Sequence, residues 1–295
     1  MARIVVTGSS GLIGSALVTA LRERGDEVVR LVRRPPRAPD ELQWDPSSRH
    51  MDPSALDGVD GLVNLASAGP GDKRWTASYK REILASRVNS THTVATAVAN
   101  ADHPVRLVCA SATGYYGDRG DEPLTEESAP GSTFFTDVVT AWEAAAAPAV
   151  TAGASVAYCR SGIILAGGGP MSRLLTLTRF GLGGPMAGGR MYWSWITLAD
   201  EVGAILHLLD RPEITGPVNL VSREPVHQRD LVEAVARAMH RPSFFPAPRF
   251  GVHLVVGEFA AEILSSKRIV GDVLVETGFR HQHPDLESAV RWLVD

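Results

Sequence analysis

Residues 3–14 read Arg-Ile-Val-Val-Thr-Gly-Ser-Ser-Gly-Leu-Ile-Gly, and this stretch decides the fold. Arg3 to Thr7 form a β-branched run, which predicts a buried parallel strand. Glycines follow at the spacing G-x-x-G-x-x-G, and apolar residues then recur at helical spacing up to Gly25. A strand, a glycine turn and a helix in this order favour a dinucleotide site over a glycine-rich turn of another kind, because the helix N-terminus offers free N–H groups to a pyrophosphate. The predicted cofactor-binding residues of this turn are Gly8, Ser10, Gly11, Leu12, Ile13 and Gly14.

The next strand, Glu27 to Val32, ends in the pair Arg33 and Arg34. This position discriminates between cofactors, since an acidic residue here accepts from the ribose hydroxyl of NAD, whereas an arginine accommodates the 2′-phosphate of NADP. The guanidinium group offers a planar fork of donors to phosphate. The sequence therefore predicts NADP(H); the alternative is that both arginines only terminate the strand and stay solvated.

A third strand from Asp60 to Leu65 leads into a turn at Leu65 and Ala66, where further cofactor contacts are expected. Residues 76–100 then form a predicted amphipathic helix that carries Glu82 and Arg87. Two interpretations of these charged residues stay open. They form a surface charge pair, or they contact the cofactor.

Small polar and aromatic residues follow the strand from Val105 to Ala110. Ser111 lies at its carboxyl end, and Tyr115 and Tyr116 come shortly after it. Ligands of doubly wound folds bind at this edge of the sheet. We therefore predict that these three residues are catalytic, and that Ser111 also contacts the cofactor; the alternative is that both tyrosines pack within the loop.

The composition excludes several functional classes. The 295 residues carry a net charge of −4 and no long run of one sign, so neither nucleic acid nor an anionic membrane surface is an expected partner. We expect no apolar run of the roughly 18 residues that a membrane span requires, and no signal peptide. Cys109 and Cys159 lie in apolar strand-like runs without metal-ligand spacing, which predicts buried free thiols, no metal and a cytoplasmic location. The expected partner is a small-molecule substrate, and the sequence leaves the oligomeric state open.

Strands and helices alternate through residue 165, which predicts an α/β fold with a Rossmann-type doubly wound parallel sheet. Residues 1–165 form the predicted NADP-binding domain, and 195–222 are expected to return to it through a strand at 217–221. Residues 166–194, which begin with a glycine-rich loop through Pro170, and 223–295 form a smaller, mostly helical region on the substrate side.

These motifs together resemble the extended short-chain dehydrogenase/reductase superfamily. Residues 7–14 look like its TGxxGxxG cofactor loop, and Ser111 matches its active-site serine. The match is closer to an atypical branch of epimerase-family proteins, labelled nucleoside-diphosphate-sugar epimerase-like, with a C-terminal domain of unknown function. The stretches that carry this closer resemblance are Arg74-Trp75, 80–87, 114–121, 181–185, Trp195-Ile196 with Asp200, and 254–279.

The resemblance implies a tyrosine and, four residues later, a lysine that together move the proton accompanying hydride transfer. Counting back from Glu143 places Phe135 and Val139 at these positions, and neither side chain can transfer a proton. Two hypotheses follow. The chain is an NADP(H)-dependent epimerase or reductase acting on a small polar molecule such as a nucleotide-sugar, or it is a non-catalytic NADP(H)-binding redox sensor or regulatory module.

Overall fold

The computed structural model describes residues 1–169 and 171–294, so Pro170 and Asp295 of the predicted substrate-side region lie outside the described residues. The strands, in chain order, are β1 (Arg3–Thr7), β2 (Glu27–Val32), β3 (Glu41–Gln43), β4 (Gly61–Asn64), β5 (Arg106–Ala112), β6 (Pro123–Leu124), β7 (Val156–Ser161), β8 (Ile163–Leu165), β9 (Tyr192–Trp193), β10 (Trp195–Thr197), β11 (Gly216–Leu220), β12 (Val226–His227) and β13 (Arg268–Ile269). The α-helices are α1 (Leu12–Glu23), α2 (Ala77–Ala99), α3 (Phe134–Ala144), α4 (Ala147–Thr151), α5 (Met171–Arg179), α6 (Leu198–Leu209), α7 (Gln228–Ala238), α8 (Arg249–Val256), α9 (Ala260–Ile263), α10 (Asp272–Glu276) and α11 (Leu286–Val294).

A seven-stranded sheet with the order β11-β7-β5-β4-β1-β2-β3 forms the centre of the molecule. Its neighbouring strands are all parallel, with Val5 of β1 opposite both Val29 of β2 and Leu62 of β4. The strand order reverses at β1, and such a switch point is where doubly wound folds bind ligands. The predicted Rossmann-type parallel sheet is confirmed.

Both faces of the sheet are covered, as the β-branched sequence of β1 requires. Ile4 and Val6 pack with α1 and α6 on one side, whereas Val5 packs with α2 and α4 on the other. Alternate side chains of a strand point to opposite faces of the sheet, so a strand that is apolar at successive positions must be covered on both faces. Cys109 and Cys159 are both buried free thiols, as predicted.

The strand predicted over 155–165 is two strands, because the chain bends at Gly162. A Cβ atom there would lie 2.5 Å from the carbonyl oxygen of Ser194, so only glycine fits. After the bend β8 leaves the central sheet and pairs with β10. The helix predicted over 134–150 is also interrupted, and it forms α3 and α4 on either side of Ala145 and Ala146.

The C-terminal half has its own apolar core and is joined to the rest of the molecule through the edge of the central sheet and through hydrogen bonds to α6. The strand predicted at 217–221 occurs as β11, which pairs with β7 at the edge of the central sheet, whereas β10 lies outside that sheet. Buried Asp200 accepts the backbone N–H groups of Gln282 and His283 at 2.5 and 3.2 Å, and Thr197 caps α6 through its bond to Asp200. In the part of the chain that the structure describes, no helix is both long enough and apolar enough to cross a membrane.

Candidate cofactor and active site

The turn after β1 has a backbone path that requires glycine. Gly8 has a φ of 64°, and a Cβ atom there would lie 2.8 Å from the carbonyl carbon of Leu65. A Cβ atom on Gly14 would lie 2.2 Å from the carbonyl oxygen of Gly8. Contacts this short exclude any side chain, so the two glycines keep the turn closed and bring α1 against β1.

The N-terminus of α1 is free to bind an anion. Its N-cap residue is Gly11, and among the described residues no side chain caps this end of the helix. Ser10 is exposed at this end, and the amides of Leu12 and Ile13 belong to the uncapped first turn. Unpaired N–H groups and the positive end of the helix dipole favour a phosphate here.

The backbone N–H groups of Leu65 and Ala66 form hydrogen bonds within the protein. Both donate to the hydroxyl oxygen of Thr7, at 3.0 and 3.1 Å, and the Thr7 hydroxyl in turn donates to the side-chain oxygen of buried Asn64 at 2.7 Å. This bonding fixes the turn after β4 against the end of β1. Any cofactor contact of Leu65 or Ala66 must therefore use their carbonyl or side-chain atoms.

The two arginines after β2 have different environments. Arg34 donates two hydrogen bonds of 2.7 Å to the carboxylate of Glu41, whose side chain is only 2% exposed. These bonds hold the pKa of Glu41 at about 2, far below its usual value. Arg33 is exposed, and its guanidinium has no partner within residues 1–169 and 171–294. Arg33 is thus the arginine that can bind a further anion.

The surface charge pair between Glu82 and Arg87 is wrong. Arg87 is 3% exposed and donates to the carbonyl oxygens of Ala68 and Ile83, at 2.9 and 3.0 Å. Burial lowers its pKa to about 10, so it stays charged at neutral pH. Glu82 is exposed and lies 3.5 Å from Lys73 instead. Arg87 therefore holds the turn after β4 through its hydrogen bond to the Ala68 carbonyl oxygen. This partner could not be assigned from the sequence alone.

Ser111 belongs to a buried polar network at the carboxyl edge of the sheet. Its hydroxyl donates to Glu143 at 2.6 Å, and Arg160 donates to both oxygens of Glu143 at 2.9 and 2.8 Å. The Arg160 and Glu143 side chains are only 4% and 13% exposed. Glu143 therefore accepts all three of these hydrogen bonds, one from the Ser111 hydroxyl and two from the Arg160 guanidinium. No partner of Glu143 could be read from the sequence, because β5 and β7 bring Ser111 and Arg160 to α3 only in the fold.

The two predicted tyrosines lie in different settings. Tyr116 is fully buried, its hydroxyl donates to Asn219 at 2.7 Å and accepts from Arg160 at 3.1 Å, and burial raises its pKa to about 12. Tyr115 is half-buried, and its ring lies 3.5 Å from the guanidinium carbon of Arg160. A guanidinium over an aromatic face is an attractive arrangement, so Arg160 orients both tyrosines.

A second buried carboxyl lies under the same edge of the sheet. Glu201, in the first turn of α6, is 1% exposed and accepts a hydrogen bond from Ser161 at 2.5 Å. Its other oxygen has no partner in the described part of the chain. Burial raises the pKa of Glu201 to about 7. An isolated glutamate in the sequence gives no signal of such a shift.

Residues 4–149 match the model of the NAD dependent epimerase/dehydratase family, and residues 247–293 match a domain of unknown function, DUF1731. An epimerase family protein of Mycobacterium tuberculosis is 38% identical over 289 residues, which cover 97% of this chain and 96% of the relative. The chain belongs to the NAD-dependent epimerase/dehydratase family, within the extended short-chain dehydrogenases/reductases.

Solved structures of this family agree with the fold. The crystal structure of the human epimerase family protein SDR39U1, isoform 2, with NADPH is 29% identical and superimposes with a TM-score of 0.90, covering 99% of this chain and 98% of that one. A nucleoside-diphosphate sugar epimerase from Corynebacterium glutamicum is 34% identical with a TM-score of 0.81, covering 98% of this chain and 57% of that one.

The positions that the family resemblance gives to tyrosine and lysine lie within an apolar cluster. Phe135 is 7% exposed and Val139 is fully buried, and they pack with Trp75, Tyr79 and Ile83. The Phe135 ring lies so close to Gly114 that a Cβ atom there would be 2.2 Å from Cδ1 of the ring. The phenyl ring is therefore held against the turn that follows Ser111.

Proposed function

We propose that this chain binds NADP(H) in the turn formed by Gly8, Gly11 and Gly14. The uncapped start of α1 supplies N–H donors to the pyrophosphate, and the two glycine contacts leave the backbone accessible. The NADPH in the human relative's crystal structure supports the same cofactor. The observation that carries the proposal is the closed glycine turn beside a helix end that no side chain caps.

We further propose that Arg33, and not Arg34, binds the 2′-phosphate. Arg34 already donates two hydrogen bonds to buried Glu41, so moving it toward a phosphate would break both and leave the carboxylate with Arg30 at 3.2 Å and the Arg37 backbone N–H. Arg33 is exposed at the same strand end and is free to make a charge-assisted bond. A bond of this kind contributes about 1.5–3 kcal/mol, which corresponds to roughly ten- to a hundred-fold in affinity.

We infer that the bound cofactor serves an oxidoreductase or epimerase reaction of a small molecule. Bound NADP(H) would exchange a hydride with the substrate, so the chain must handle the accompanying proton. Phe135 and Val139 cannot transfer it. Tyr115 is the better candidate of the two tyrosines, because the Tyr116 hydroxyl is already held by hydrogen bonds to Asn219 and Arg160. Ser111, whose proton is bonded to Glu143, would accept a hydrogen bond from the ligand. We expect slow turnover or none with ordinary epimerase substrates, since the residue four positions after Tyr115 is Arg119 and not the lysine that assists the family's tyrosine.

A non-catalytic NADP(H)-binding sensor is the second candidate. The observation in its favour is the apolar packing of Phe135 and Val139, which removes the proton source and keeps the site dry. In that case the site would bind and release the cofactor without turnover.

Titration of wild type, Arg33→Ala and Arg34→Ala with NADPH and NADH tests the cofactor assignment. We expect wild type to prefer NADPH, Arg33→Ala to lose ten- to a hundred-fold in NADPH affinity, and Arg34→Ala to lose stability more than selectivity. Equal binding of NADH and NADPH by wild type would refute the proposal.

Turnover of bound NADPH against a panel of nucleotide-sugars and carbonyl compounds separates the enzyme from the sensor. With an active substrate, Tyr115→Phe should lower kcat, and Tyr116→Phe should act mainly through stability. Fast turnover that survives both changes would show that another group supplies the proton.

A further inference from the structure

A cleft with a volume of about 430 Å³ lies between the start of α3 and residues 253–262 of the C-terminal region. This volume is in the lower part of the ~300–1,000 Å³ range of small-molecule sites. Aromatic rings dominate its wall on the side of the central sheet. Trp75 meets Phe134 edge-on with centroids 5.0 Å apart, and the Phe135 ring lies 6.2 Å from that of Trp75.

The cleft adjoins the active-site turn through Phe135. The Cδ1 and Cε1 atoms of this ring lie against Gly114, and the neighbouring Thr136 hydroxyl donates to the Gly114 carbonyl oxygen at 3.1 Å. Gly114 lies between Ser111 and Tyr115 in the chain. A molecule held in the cleft would contact the Phe135 ring, which in turn contacts Gly114, whereas Ser111 and Tyr115 are not among the described lining residues.

The charges around the cleft disfavour a phosphate. Glu258 and Glu262 line it, and none of its described lining residues is a lysine or an arginine. The nearby Lys80 already pairs with Glu258, and Lys267 lies 3.2 Å from Glu262. Both lysines are therefore already paired with the glutamates of the cleft.

The start of α3 is the remaining place for an anion, and it already faces a carboxylate. Thr133 caps α3 by accepting from Thr136 N–H at 3.1 Å, and its hydroxyl donates to Glu262 at 3.3 Å. A diphosphate brought to this end of the helix would compete with Glu262 for the Thr133 hydroxyl and for Lys267, which already pairs with that carboxylate at 3.2 Å.

We propose that this cleft binds a neutral, flat, apolar molecule and not a nucleoside-diphosphate sugar. Three aromatic rings offer stacking and edge contacts to a flat apolar ligand. The lining residues Glu258 and Glu262 are balanced by Lys80 and Lys267, and His253 is the other ionisable residue among the described lining residues. That this ligand is the substrate rests on the NADP(H)-dependent function proposed above, whereas its chemical class rests on the walls of the cleft alone.

Isothermal titration calorimetry of the full chain with 2-acetonaphthone and with UDP-glucose, each with and without NADPH, tests the proposal. The decisive variant is Ala261→Trp, because Ala261 is an exposed lining residue of α9 whose enlargement fills the cleft without disturbing the core. Ala147→Trp is the matched control, an exposed alanine of α4 that does not line the cleft. We expect saturable binding of 2-acetonaphthone, at least tenfold weaker binding in Ala261→Trp, unchanged binding in Ala147→Trp, and no saturable heat with UDP-glucose.

Saturable binding of UDP-glucose, absence of 2-acetonaphthone binding, or equal affinities of wild type and Ala261→Trp would overturn the proposal. Titration of the same preparations with NADPH tests the proposed cofactor binding independently of the proposed ligand of the cleft. Wild type that binds 2-acetonaphthone but not NADPH would refute the proposed function while supporting the assigned ligand class.

Discussion

Replacing Glu201 by glutamine should change how the stability of the protein depends on pH. The carboxyl is 1% exposed, one oxygen has a single bond from Ser161, and burial raises its pKa from 4.5 to about 7. Between these two values the folded chain keeps a proton that the unfolded chain has released. The unfolding free energy therefore falls as pH rises from about 4.5, and the loss is complete above about pH 7.

The size of this effect follows from the two pKa values. One pKa unit corresponds to about 1.36 kcal/mol, so the shift of Glu201 amounts to about 3 kcal/mol in total, of which about 2.5 kcal/mol falls between pH 5 and pH 8. Glutamine is neutral throughout, so the Glu201→Gln variant should gain about 2.5 kcal/mol relative to wild type on going from pH 5 to pH 8. Any constant cost of the new amide cancels in this difference.

Urea unfolding of wild type and variant at both pH values, followed by far-UV circular dichroism, measures the difference. Glu287→Gln is the matched control, because Glu287 also lies in the first turn of its helix, α11, but its side chain is 85% exposed. This control should show almost no pH-dependent change. If Glu201→Gln shifts stability equally at pH 5 and pH 8, the carboxyl is not held neutral by burial and the reasoning fails.

Gly14→Ala should abolish measurable NADPH binding, because its Cβ atom would lie 2.2 Å from the Gly8 carbonyl oxygen and open the turn; retained affinity in a fluorescence titration would contradict this. Arg160→Met should lower the unfolding free energy by about 3–5 kcal/mol, because it leaves the buried Glu143 carboxylate without its charged partner; a loss below about 1 kcal/mol in urea unfolding would show that the network contributes little. The double change Phe135→Tyr and Val139→Lys should raise kcat only if the tyrosine hydroxyl reaches the ligand. The new lysine would be buried and should lower the thermal stability, so kcat and the melting temperature are measured on the same variant.

The sequence alone determined the backbone of the cofactor site. The β-branched run before Gly8 and the spacing of the glycines specify a strand, a turn and a helix within about a dozen residues, because these preferences are local. The same holds for the parallel sheet, since apolar runs alternating with amphipathic helices can be buried only when helices cover both faces. The sequence also predicts, by counting back from Glu143, that Phe135 and Val139 occupy the positions of the tyrosine and lysine pair, and this stays a prediction.

The tertiary structure decided which side chains are free and which are committed. Arg33 and Arg34 are equivalent in sequence, and only the pairing of β2 with β3 brings Glu41 to one of them. Ser111 and Arg160 meet at Glu143 from positions 32 and 17 residues away, because β5, α3 and β7 converge at one edge of the sheet. Hydrogen-bond partners and burial depend on contacts between segments that are distant along the chain. Local sequence preferences carry no information about such contacts, so the roles of these charged residues emerge only in the folded molecule.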